Sequence, residues 1–209
     1  MRLTSESFSD MGIIPGRCAF AVPDAKTHLR LSDNRNPQLA WSDLPPGTRS
    51  LVLVCHDRDV PSRPEDVNRE DRQIPKTLPR VNFYHWLLVD LKPFDGPIAE
   101  GEFSNGVTPR GKPGPQAARG ARQGINDYTS WFANDKDMAG NYFGYDGPCP
   151  PWNDPLVHHY VFTLYALDVP NCPLSGAFRG SELRAAIEGH VLDSAELTGR
   201  YSLNLSVKL

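Results

Sequence analysis

The chain has 209 residues, with 22 basic and 25 acidic side chains and a formal charge of −3 at pH 7. Its length fits one domain, or two small ones, and buries enough surface to hold a core without a disulfide or metal staple. The near-balanced charge argues against a broad phosphate-backbone binder but allows a small local anion site, and 39% hydrophobic residues argue against global disorder.

In chain order, Leu39-Ala40-Trp41 precedes the turn Leu44-Pro45-Pro46-Gly47-Thr48. Ser50 to Cys55 is a short β-branched apolar run and predicts a strand, ending in the polar cluster His56-Asp57-Arg58-Asp59-Val60-Pro61. Residues 62–80 are polar and read as an inserted loop. Phe83 to Val89 predicts a second strand and Tyr160 to Leu167 a third. The third is apolar on both faces, so it should be central and covered on both sides. Between these two strands, about residues 96–157, lies an irregular stretch, and a loop this long in a compact domain is usually functional.

Late in the chain Ser181 can cap a helix carrying Leu183, Ala186, Ile187 and His190 or Val191 at helical spacing. Glu196 to Leu203 predicts a final strand. With 17 glycines, 20 prolines and no internal repeat, the pattern predicts one mainly β domain over 1–209. Its simplest form is a two-sheet antiparallel β-sandwich with one or two peripheral helices.

No stretch of about 18 apolar residues exists that would span a membrane as a helix, and Met1 to Ile14 lacks the apolar core of a secretory signal. Cys18, Cys55, Cys149 and Cys172 are scattered, with no Cys-x-x-Cys. The chain therefore reads as cytoplasmic and reduced, Cys55 as a buried thiol, with a disulfide still open.

Two motifs are decoys. Gly106-Val-Thr-Pro-Arg-Gly111-Lys112-Pro113 nearly matches a phosphate-binding P-loop, but Pro113 replaces the hydroxyl that would hold Mg²⁺, and no apolar strand precedes it. His56-Asp57 is half a metal site without a partner at a metal spacing. No Gly-x-Ser-x-Gly elbow exists. No cofactor is expected.

One logic does repeat: each of three strands carries polar groups at one end. Asp57 and Asp59 follow the first strand, and in extended chain their spacing puts them on one face, with His56 on the other. His85 begins the second strand. His158 and Tyr160 begin the third, again on one face, with the turn Gly147 to Pro151 just upstream. Antiparallel neighbours would gather these residues at one end of a sheet. Taken singly, each has a bland reading: a hydrogen-bonded structural histidine, turn-capping aspartates, a core tyrosine.

Several blocks together resemble a known family. These are Asn36-Pro37-Gln38-Leu39-Ala40-Trp41 with Leu44-Pro45-Pro46-Gly47-Thr48-Arg49-Ser50-Leu51, then Asp57-x-Asp59-x-Pro61, His85-Trp86, Gly147-Pro148-Cys149-Pro150-Pro151, and His158-x-Tyr160-Val161-Phe162. They are similar, in order, to the phosphatidylethanolamine-binding proteins, or Raf kinase inhibitor-like proteins, on their bacterial branch. The resemblance covers about Asn36 to Tyr201. It implies a β-sandwich with a small pocket for phosphate, phosphoryl headgroups or similar anions, formed by Asp57, Asp59, Pro61, His85, Gly147, Pro151, His158 and Tyr160. It attaches no catalytic activity and implies a homodimer; some relatives bind kinases and others inhibit proteases.

There are departures from the family. Arg58 stands between the aspartates where the family often has proline, and would either add a cation to the rim or point away. Residues 62–80 and 109–138 look like insertions that cover the pocket or build an interface.

The chemistry expected of such a pocket is donation to an anion by two imidazoles, the Tyr160 hydroxyl and a few turn N–H groups. The aspartates then serve as acceptors that set the tautomer of His85 or His158 and favour its charged form, or one carboxyl is instead protonated and donates to the ligand. Three functions compete: a binding module for small phosphorylated or anionic ligands that regulates a partner, a hydrolase using Asp57 and His85 as acid and base, and a loop-mediated kinase or protease inhibitor.

Overall fold

A computed structural model describes all 209 residues. Ten strands are present: β1 (Arg2–Thr4), β2 (Gly12–Ile13), β3 (Ala21–Asp24), β4 (His28–Leu31), β5 (Ala40–Ser42), β6 (Ser50–Pro61), β7 (Arg80–Leu91), β8 (Arg122–Gln123), β9 (His158–Leu167) and β10 (Val191–Tyr201). Two α-helices join them, α1 (Tyr128–Trp131) and α2 (Gly180–Ile187).

The organising element is a six-stranded sheet in the order β2-β10-β9-β6-β7-β8, mixed because β2 runs parallel to β10. Two further ladders, β1-β5 and β3-β4, have two strands each. The expected pair of antiparallel sheets is therefore corrected: one large mixed sheet is faced by two small ladders and irregular chain. The reason lies in composition. Residues 96–157 carry many of the prolines, which cannot donate to a ladder, so this layer packs without becoming a sheet.

Alternation along the strands sorts two cores. Leu51, Leu53 and Cys55 of β6, with Trp86 and Leu88 of β7 and Phe162 and Leu164 of β9, pack against Phe8, Ile14, Leu39 and Tyr145 from the irregular layer. Val52 and Val54, with Leu87 and Val89, face the other way and meet Phe178, Leu183 and Ile187 of α2 and its approach. Both faces of the central strands are thus covered, which explains their apolar sequence.

Element boundaries moved for physical reasons. β6 does not stop at Cys55. It continues through the polar cluster because β9 pairs it as far as Asp57 with Tyr160, and β7 as far as Pro61 with Arg80. α2 is capped two residues earlier than Ser181: Arg179 N–H donates to the Glu182 carboxylate at 2.8 Å. It ends at Ile187, and Val191 opens β10. All four cysteines are free thiols, Cys55 fully buried.

Residues 62–79 form a loop between β6 and β7, fastened by the buried Asn153. Its Nδ2 donates to the carbonyls of Asp66, Arg69 and Arg72, and its Oδ1 accepts from Asn68 N–H. In the P-loop-like segment, Gly111 approaches Asn141 too closely for a side chain, at a φ of +92°, and Lys112 is buried against Asp146 at 3.0 Å. The lysine is a strut in the loop.

Candidate functional site

Strands β9, β6 and β7 are neighbours, and the end of β6 lies beside the start of β9. Asp57 stands opposite Tyr160 on one side and Phe83 on the other. This brings Asp57, His85, His158 and Tyr160 together, all 3% exposed or less. They form the inner end of a cleft of about 640 Å³, with Pro61 and Pro151 also on its wall. Half of its 24 lining residues are hydrophobic, among them Phe83, Tyr128, Trp131 and Phe132. Arg63, from the loop after β6, stands exposed at its mouth.

A row of alternating charge runs behind the floor. His158 Nδ1 donates to Asp57 Oδ2 at 2.6 Å and its Nε2 donates to Asp154 Oδ2 at 3.2 Å. Arg80 Nη2 donates to Asp154 Oδ1 at 3.3 Å, and Nη1 to the other carboxylate oxygen. Burial alone would strip His158 of its proton, but the two carboxylates outweigh it and raise its pKa to about 9. Burial opposes ionisation of Asp57, yet the His158 cation holds its carboxyl below the ordinary range. Asp154 is lowered too, against its burial, by hydrogen bonds from His158 and Arg80.

His85 behaves differently. Its Nδ1 donates to the Asp146 carbonyl at 2.7 Å. Burial pushes its pKa below the usual histidine value, and the Asp57 charge offsets this only in part. The neutral ring therefore keeps its proton on Nδ1, leaving Nε2 as an acceptor. Asp146 is itself held by Asn34 Nδ2 at 2.7 Å, Asn126 Nδ2 at 2.8 Å and Lys112. Tyr160 stacks edge-on to His85 with ring centroids 5.0 Å apart. Its buried hydroxyl faces Asp57 without closing a hydrogen bond of normal geometry and has no partner.

The expected two-imidazole cradle is thus corrected. His158 is charged, but both of its N–H groups are spent on carboxylates. His85 is braced by a backbone carbonyl rather than a carboxylate, and it is held neutral.

Two of the eight expected pocket residues do not reach the cleft. A bulge between Asp57 and Val60 breaks the simple alternation, so the two aspartates part. Asp57 turns inward, while Asp59 accepts from the backbone N–H and the ring Nδ1 of His159, each at 2.8 Å. Gly147 lies behind the wall, its N–H donating to Asn34 Oδ1 at 2.8 Å. A Cβ there would meet the Cys18 carbonyl at 2.2 Å, so close packing is what requires a glycine. Arg58 is exposed and is not among the residues that line the cleft.

Asp154 and Arg80 escaped the sequence reading. Asp154 stands four residues before His158, a spacing that signals nothing in a chain not yet known to turn there. The aromatic wall from α1 was hidden inside the irregular stretch.

The model of the family described as phosphatidylethanolamine-binding protein matches residues 4–202. The chain is 30% identical over 201 residues to a UPF0098 protein of Methanothermobacter thermautotrophicus, covering 96% of this chain and 98% of the other. It is 28% identical to the UPF0098 protein YbhB of Escherichia coli, covering 97% of this chain and all of that protein. Among solved structures it is similar to the phosphatidylethanolamine-binding protein homolog CT736 of Chlamydia trachomatis, with a TM-score of 0.64, 29% identity and 96% of each chain covered. The fold is also that of E. coli YbcL, with a TM-score of 0.63 at 21% identity, covering 96% of this chain and 97% of the other. On the match across nearly its whole length, this chain belongs to the phosphatidylethanolamine-binding protein family.

Proposed function

We propose that the cleft binds a small ligand carrying an anionic, phosphoryl-type head, and that the protein works by binding rather than by turnover. The observation that carries this reading is the buried, unpartnered Tyr160 hydroxyl on the cleft floor. A buried polar group without a partner is costly, and a ligand oxygen accepting from it removes that cost. Phe83, Tyr128 and Trp131 offer an apolar surface for the body of the ligand, and Arg63 at the mouth favours negative charge.

Turnover is disfavoured by the same groups. His158 has no free nitrogen with which to shuttle a proton. The one thiol on the wall, Cys149, is pushed up to about 12 by burial and is a poor nucleophile. A regulatory role through a kinase or protease partner fits family membership and needs surfaces beyond the cleft.

Calorimetry with inorganic phosphate and O-phosphoethanolamine tests the reading. The wild type should bind at pH 6, and His85→Ala should bind at least about tenfold more weakly, since it loses a direct contact. No heat with either compound would overturn the proposal. Release of alcohol from a panel of phosphate esters would overturn the non-catalytic half.

A further inference from the structure

We infer that the cleft floor selects oxyanion heads that still carry a proton and rejects heads of the same shape that carry none. The inference rests on the reading above and specifies the ligand class of that site.

The argument is a count of donors and acceptors. Asp57 is a carboxylate whose Oδ2 accepts from His158 Nδ1 and whose Oδ1 accepts from Asp59 N–H. Each carboxylate oxygen has room for a second donor. His85 must donate from Nδ1, because its partner there is a carbonyl, so Nε2 accepts. Tyr160 supplies a single hydroxyl proton, which has two destinations, Asp57 or the ligand.

The turn that lines this end adds little. Pro148, Pro150 and Pro151 have no N–H. The Gly147 N–H is spent on Asn34 and that of Trp152 on Asn68. Only the Cys149 N–H is unspent within the turn. The floor therefore offers a ligand two acceptors, Asp57 with spare lone pairs and His85 Nε2 with no donor, against one hydroxyl and one backbone donor.

A bare tetrahedral oxyanion brings acceptors alone. It would set lone pairs against the Asp57 carboxylate, which repels them, and against His85 Nε2, which would be left without a donor. A phosphoryl monoanion carries a P–OH that donates to Asp57 or His85, while its other oxygens accept from Tyr160 and Cys149. Such complementarity is sharp, because a buried acceptor left without its donor keeps its full desolvation cost.

The surrounding charges do not reverse this. The His158 cation faces the floor with both donors spent. Tyr128 and Cys149 stay neutral, since burial raises both. Asp127, on the outer wall, holds its proton more tightly than usual, chiefly through burial. Arg63 stands at the mouth, where it draws any anion without distinguishing protonated from bare heads.

Phenyl phosphate and phenyl sulfate give the direct comparison. Near pH 6 about half of the phosphate ester is a monoanion with one P–OH, its second pKa lying at about 6, and the sulfate ester is a monoanion with no proton. The two match in shape and charge and differ in that hydrogen. Titrated into the wild type by calorimetry at pH 6, phenyl phosphate should bind at least about 100-fold more tightly. Its affinity should then fall about tenfold per pH unit from about 7 to 8.5, as the dianion replaces the monoanion.

Asp57→Asn, which offers an amide N–H in place of a carboxylate oxygen, should reduce the preference, with His85 Nε2 remaining as an acceptor. Tyr160→Phe should weaken both esters and leave the preference intact. The wild-type comparison and pH profile stand even if Asp57→Asn fails to fold. Equal binding of the two esters by the wild type would overturn the inference while leaving the anion-binding reading in place. No binding of either ester, with none of inorganic phosphate, would overturn both.

Discussion

Replacing His158 with glutamine should remove a pH dependence of stability that the wild type carries. In the native protein the imidazole keeps its proton until about pH 9, held by Asp57 at 2.6 Å and Asp154 at 3.2 Å. In the unfolded chain it gives the proton up near about pH 6.5. Between those values the unfolded state binds one proton fewer, so stability falls with rising pH at about 1.4 kcal/mol per unit. The contribution is complete below pH about 6.5 and exhausted above about 9, a span of roughly 3 kcal/mol.

The thiols and the other shifted histidines act at or beyond the edges of this window. The thiols of Cys18 and Cys149, both pushed up to about 12, chiefly by burial, add a loss of the same sign only above about pH 8.5. His56 and His85, both lowered, chiefly by burial, contribute stability that is lost as pH falls below about 6.5. Urea unfolding between pH about 6.5 and 8.5 therefore reports His158. The wild type should lose about 2–3 kcal/mol across that range, and His158→Gln should stay nearly level. A level wild-type profile would refute the reasoning, as would an NMR titration of the His158 ring near its ordinary pKa. These two wild-type measurements decide the matter even if the variant, with Asp57 buried and unpaired at a cost of about 3–5 kcal/mol, does not fold.

Three further outcomes follow from the geometry. Asn153→Ala removes four hydrogen bonds that fasten the loop beside the cleft, each worth about 1 kcal/mol. Trypsin should then cut after Arg69 or Arg72 much faster than in the wild type, and unchanged cleavage would show that the loop is held by something else. Gly147→Ala forces a methyl onto the Cys18 carbonyl and should cost about 1–3 kcal/mol, read as a lowered thermal midpoint; an unchanged midpoint would contradict the close packing. Trp131→Ala strips a half-exposed aromatic from the cleft wall. It should weaken octyl phosphate about tenfold and leave inorganic phosphate unchanged, and equal effects on both would place the ligand body elsewhere.

The central strands were legible because their evidence is local. Ser50 to Cys55, Phe83 to Val89 and Tyr160 to Leu167 are apolar runs, and a strand buried on both faces needs nothing else in its sequence. The gathering of Asp57, His85, His158 and Tyr160 was also readable, since antiparallel neighbours place one strand's end beside another's start. Glu196 to Leu203 marked the last strand but missed its first residues. Val191 to Ala195 are mixed in polarity and are held in extended form by their register with β9.

What each side chain does was decided in three dimensions. A one-residue irregularity in β6 turns Asp57 inward and Asp59 outward, and no residue in Asp57-Arg58-Asp59 announces it. Asp154 reaches His158 because the chain doubles back after Pro151, and Arg80 arrives from a different strand. His85 and His158 are the same residue type at similar strand positions, yet one ends neutral and the other charged. The first meets a carbonyl dipole and the second meets two carboxylates, and a histidine's proton is governed by its neighbours in space.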